Sequence, residues 1–78
     1  MARTAREIED WLARVIARSL RVEQREIDVH QPFAELGMDS IAAVELSGDL
    51  ERWLGRRIAP TVVWDYPSVS LLAAHLAT

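Results

Sequence analysis

The sequence contains no cysteine. Disulfide frameworks and thiolate zinc sites are thereby excluded. Histidine is almost as scarce: only His30 and His75 occur, too few for a metal cage built on imidazole. No apolar run approaches the ~20 residues of a membrane-spanning helix. Met1-Ala2-Arg3-Thr4 passes straight into an amphipathic pattern, so no secretory leader is expected. Internal repeats and low-complexity tracts are absent. These exclusions lead to the expectation of a soluble, cytoplasmic chain with no membrane partner. Positive charge is missing from one stretch: from Glu26 to Glu51 every formal charge is negative, through Asp28, Glu35, Asp39, Glu45 and Asp49. All nine arginines lie outside it, and the net charge is −3. Such a run is either a solvated face or a surface that steers basic partners.

What remains is enough for one small core. Half of the 78 residues are hydrophobic, which argues against disorder and for a single domain over residues 1–78. Thr4-Ala5-Arg6-Glu7 fits a capping box, in which each polar side chain caps the other's amide. Ile8, Trp11, Leu12, Val15, Ile16 and Leu20 follow at three- and four-residue spacing, the mark of an amphipathic helix. Arg6, Arg14, Arg18 and Arg21 lie off that stripe. Glu7, Glu9 and Asp10 dilute the basic face and no aromatic residue on it can stack a base, so no nucleic-acid partner is expected.

A long connection from about Arg21 to Met38 carries its own core anchors, Ile27, Val29, Phe33 and Leu36. Pro32 disfavours helix at Gln31, and Phe33–Leu36 has room for one turn before Gly37. Asp39 and Ser40 are both helix-starting residues. The second helix is expected from Ser40 to Leu54, stopped by Gly55. Ala43, Leu46, Leu50 and Leu54, with Trp53, form its core stripe, whereas Ile41, Val44, Glu45 and Gly48 fall on another side. Periodicity leaves Ile41 open between core and surface. Thr61 opens a short helix through Trp64, with a small cap of its own. Ser68 caps a last helix bearing Val69, Leu72, Ala73 and Leu76, with His75 near its C-terminal end. The predicted fold is all-α: a small four-helix bundle of three main helices and one short helix, with the long loop between the first two.

Ser40 is the candidate functional residue. A helix mouth offers free amides and the positive end of the dipole, which suit a phosphate. His30 and His75 leave a Ser–His–acid arrangement formally open. Yet Gly37-Met38-Asp39-Ser40 is not the nucleophile elbow Gly-x-Ser-x-Gly, no glycine-rich phosphate loop is present, and a 78-residue bundle has little room for a closed pocket. The expectation is a non-catalytic domain.

Gly37-Met38-Asp39-Ser40-Ile41, followed by Val44-Glu45-Leu46, resembles the attachment motif of acyl carrier proteins, most of all the carrier domains of polyketide synthases. The resemblance covers nearly the whole chain: Pro32-Phe33-Ala34-Glu35-Leu36 upstream, Ala59–Ser68 and Leu72–Leu76 downstream. It implies that Ser40 receives 4'-phosphopantetheine from coenzyme A through a phosphopantetheinyl transferase, and that the arm tethers acyl groups as thioesters. It also implies partners that read the helix after the serine: ketosynthase, acyltransferase and other synthase domains, or acyl-activating enzymes. Asp39, Ile41, Val44, Glu45 and Gly48 become the partner-binding candidates, with Asp49 and Glu51 beyond them. The isolated domain is expected to be monomeric. Met38 stands where many members carry leucine, a volume-conserving change. Trp64 replaces a commoner phenylalanine, and Ser47-Gly48 is small where relatives are bulky or basic. Peptidyl carriers share the fold but often place Gly-His before the serine, so Met38-Asp39 favours an acyl carrier. The alternative from another class is a helical interaction module without a prosthetic group.

Overall fold

The computed structural model describes residues 3–77. Five α-helices follow one another: α1 (Ala5–Leu20), α2 (Phe33–Leu36), α3 (Ser40–Leu54), α4 (Val62–Asp65) and α5 (Val69–Leu76). No strand occurs among the described residues, only an isolated bridge between Pro32 and Ser68. The all-α bundle expected from sequence is observed, with the single turn at Phe33–Leu36 as a fifth helix.

The capping box at the start of α1 forms as read. The Glu7 amide donates to Thr4 Oγ1 at 3.1 Å and the Thr4 amide to Glu7 Oε1 at 3.1 Å. Ile8, Leu12 and Ile16 then turn fully inward, each contributing about 1.5–3 kcal/mol by leaving water. The helix ends without glycine. Arg21 adopts a left-handed conformation at φ 59, and the Val22 amide donates back to the Ala17 carbonyl at 2.9 Å. A side chain in that region costs roughly 1–2 kcal/mol, so closure of the helix end offsets local strain.

The long connection is pinned at three places. Gln24, which opens a 3-10 turn, donates its amide to Asp10 Oδ1 at 3.0 Å on α1. The Ser70 amide donates to the Val29 carbonyl and the Phe33 amide to the Pro67 carbonyl, both at 2.8 Å. The segment leading to Ser40 is thus stapled to the start of α5. Ile27 and Phe33 are buried, and Val29 and Leu36 pack half-buried against the core. Gly37 ends α2 at φ 98, a conformation glycine takes without penalty.

α5 packs chiefly against α1, and together with the inner face of α3 they enclose one core. Two expectations need correction. Trp53 packs against the core only half-buried, at its edge: it stacks on Trp11, centroids 4.6 Å apart, with the Arg3 guanidinium 4.3 Å from its centroid. Thr61 does not cap α4 with its side chain. It is already helical, because the coil begins earlier, where the Val62 amide donates to the Ala59 carbonyl at 3.0 Å.

The helix ends sort into two poles. Leu20, at the end of α1, lies beside Gly37 and hence near Ser40. At the other pole Arg3 covers Trp53 near the end of α3, and Arg56 Nη2 donates to the Leu76 carbonyl at 2.7 Å. Both ends of the described chain lie at the pole away from Ser40.

Candidate functional site

Of the two candidate helix starters, Asp39 is the cap. Its Oδ1 accepts the Ala42 amide at 2.8 Å and its carbonyl the Ala43 amide at 3.0 Å. Ser40 is therefore the first residue of α3, with its side chain exposed. The amides of Ser40 and Ile41 donate to no group among the described residues. Buried Met38 anchors the chain immediately before the turn. The result is an accessible hydroxyl on a fixed helix end, flanked by two unclaimed donors.

No base is built around it. His75 sits at the opposite pole, its ring stacked on Tyr66 with centroids 3.9 Å apart. His30 is an exposed loop residue whose amide donates to Asp28 Oδ1 at 2.9 Å. Nothing among the described residues is placed to activate the Ser40 hydroxyl as a nucleophile.

Ile41, Val44, Glu45 and Gly48 form one stripe along α3. Ile41 is 69% and Val44 55% exposed, which resolves the ambiguity about Ile41 in favour of the surface. A Cβ at Gly48 meets only Arg52 Nη1, at 4.0 Å, so the fold does not require glycine there. Ser47 is buried and donates its hydroxyl to the Val44 carbonyl at 2.8 Å, whereas Gly48 is half-buried.

The acidic stretch divides in two. Glu26, Asp28 and Asp39 accept backbone amides close by in sequence, and Glu51 Oε1 accepts the Ile58 amide at 2.8 Å. Asp49 pairs with Arg52. The Glu51 carboxylate thereby holds the chain after α3. Glu35 and Glu45 are exposed and make neither hydrogen bond nor ion pair among the described residues.

α1 contributes a wall that periodicity alone does not orient. Trp11, Val15 and the guanidinium-bearing Arg14 and Arg18 line a groove of about 460 Å³ whose other wall carries Glu45 and Asp49 of α3. The four-residue spacing of Arg14 and Arg18 put them on one face, but not which helix that face looks toward.

The motif, its geometry and its surroundings agree with the profile of the family described as "Phosphopantetheine attachment site", which matches residues 10–76. The chain belongs to that family. Acyl carrier protein TtuC of Teredinibacter turnerae is 35% identical over 95% of this chain and 85% of its own length. A component of the phenolphthiocerol/phthiocerol polyketide synthase of Mycobacterium tuberculosis is 39% identical over 91% of this chain, and the chain spans only 4% of that much longer protein. A free-standing peptidyl carrier protein from Acinetobacter baumannii superposes with a TM-score of 0.90 at 37% identity, over 94% of this chain and 91% of that one. The protein is a carrier protein of the acyl or peptidyl type, close to the carriers of polyketide synthases, and its cofactor is 4'-phosphopantetheine. Carriers of this family are not catalysts, in keeping with the surroundings of Ser40. The site fits the group: the two free amides and the positive helix end favour a phosphodiester anion.

Proposed function

We propose that Ser40 carries the 4'-phosphopantetheine arm and that residues 1–78 work as one monomeric acyl carrier unit in polyketide-type biosynthesis. The observation that carries this reading is the exposed Ser40 hydroxyl at the first position of α3, beside two unclaimed amides. The bound arm supplies a thiol on which acyl groups ride as thioesters. This chain supplies the rest: Asp39 and Met38 fix the helix start, the Ser40 and Ile41 amides favour the phosphate, and the stripe from Ile41 to Gly48 meets partners. Tethering raises the effective concentration of the acyl group at each partner without chemistry by the carrier. The partners are a phosphopantetheinyl transferase, then ketosynthase, acyltransferase and related synthase domains or acyl-activating enzymes. Contacts are brief and of modest affinity, because a carrier must leave each partner in turn. No helix among the described residues is long and apolar enough to cross a membrane, and coenzyme A dependence suits the cytoplasm.

The test is loading. Incubation with coenzyme A, magnesium and a broad-specificity transferase should add one phosphopantetheine by intact mass, and Ser40→Ala should add none. A protein that stays unmodified while a control carrier is loaded would refute the assignment. The similarity to the Acinetobacter carrier supports a second reading, a peptidyl carrier. Offering the loaded protein to an acyltransferase and to an amino-acid-adenylating domain separates the two by which group appears on the thiol.

A further inference from the structure

The α1–α3 seam is thin compared with the α1–α5 contact, and it is open. Its floor is a recess of about 50 Å³ under Ile16, Met38, Ala42 and Leu46. On this measure a single water needs only about 10–15 Å³, so the floor has room for a small side chain. Above it the groove widens to about 460 Å³. The rims carry opposite signs: Arg14 and Arg18 on α1, Glu45 and Asp49 on α3. They do not cancel across the gap. Arg14 pairs with Asp10 and Asp49 with Arg52, each within its own helix, and Arg18 and Glu45 pair with nothing among the described residues. Two facing, unsatisfied charges of opposite sign over a narrow recess form a socket with a defined polarity across its width.

We propose that this groove seats a helix of a partner protein that carries a basic row toward α3, an acidic row toward α1 and small apolar residues between them. The inference rests on the reading that partners approach Ser40 along α3, and deepens it. α3 alone would attract any basic surface, whereas the arginines of α1 repel a uniformly basic one and select a partner that bears both signs. Glu45 lies five residues after Ser40, about 7.5 Å along the helix, so such a partner is held next to the attachment site.

The probes are two helical peptides of equal length with the same alanine seam, one with a lysine row and a glutamate row, the other with lysine in both rows. Each is titrated into isotope-labelled protein, both before and after phosphopantetheine loading, and followed by backbone amide shifts. The two-sign peptide should shift Arg14–Ser19 and Ala42–Asp49 together, and bind about fivefold tighter than the all-lysine peptide, in line with a few exposed charge pairs. Arg18→Glu replaces the unpaired positive charge of the α1 rim with a negative one, and the preference should invert. Tighter binding of the all-lysine peptide to the unaltered protein would overturn the proposal. So would shifts confined to α3, no shift with either peptide up to about 1 mM, or concentration-dependent shifts of the groove without peptide, which mark a second copy of the chain as the occupant. Failure to load at Ser40 speaks against the attachment reading instead, and the titration of the unloaded protein stands apart from it.

Discussion

Helices α1 and α3 are nearly equal in length and are used differently. α1 turns Ile8, Leu12, Ala13, Ile16 and Ala17 into the core, and the N-terminal end is closed by the Thr4–Glu7 box. α3 buries Ala43, Leu46 and Leu50 but leaves Ile41 and Val44 in solvent. At its start the residue matching Glu7 is Ala42, too short to fold back, so nothing covers the helix end beside Ser40. One helix directs its large apolar side chains to the fold, and the other leaves part of its apolar surface and one end open to solvent.

The largest test of that contrast is a pair of truncations. Ile16→Ala should lower stability by about 2–5 kcal/mol, as core deletions do. Ile41→Ala should stay within about 0.5 kcal/mol, as surface changes do. Urea unfolding reads both, and an equal loss at the two sites would erase the distinction. Next come the caps. Thr4→Ala and Asp39→Ala should each cost about 1 kcal/mol, yet only Asp39→Ala should slow phosphopantetheine loading. If both slow it alike, the effect is global stability and the open end of α3 has no special part. Gly48→Ala should stabilise by up to about 1 kcal/mol through helix propensity, because the added methyl meets nothing closer than Arg52 Nη1 at 4.0 Å. A simultaneous fall in acyl transfer from partner domains would show that partners need the glycine.

The smallest effect is a pH dependence confined to α1. Glu7 is held below the ordinary glutamate value of 4.5, first by the Thr4 backbone amide, then by the Thr4 hydroxyl, with Arg3 adding attraction. A depressed carboxyl contributes stability above its unfolded value and loses it as pH falls through the folded one. Amide signals of the first turn of α1 should therefore loosen on acidification below 4.5. Glu7→Gln should remove that dependence.

Much of this was legible in the sequence because short-range chemistry decided it. The Thr4–Glu7 spacing, the Gly37 and Gly55 stops and the Ser40–Leu54 limits all follow from capping and periodicity, and the structure repeats them. What was not legible depended on the third dimension. Arg21 takes a left-handed cap that no glycine announces. Trp53 has core chemistry but ends at an edge, because Trp11 and Arg3 meet it there. Glu51 is one more acid of a charged run by sequence, but its carboxylate accepts the Ile58 amide seven residues on. At the site, Ser40 could be singled out, and the choice between Asp39 and Ser40 as cap came only with the backbone. The arginines facing Glu45 across the α1–α3 groove needed the relative placement of two helices.

The two-pole arrangement has a mechanical consequence. The fifteen residues of α3 make a rod of about 22 Å, with Ser40 at one tip and the two ends of the described chain, Arg3 and Ala77, near the other. Anything joined to either end is joined at the heel of a stiff boom. Rotation about that heel sweeps the serine through an arc of about 22 Å radius, the length of α3, without bending the bundle or covering the tip.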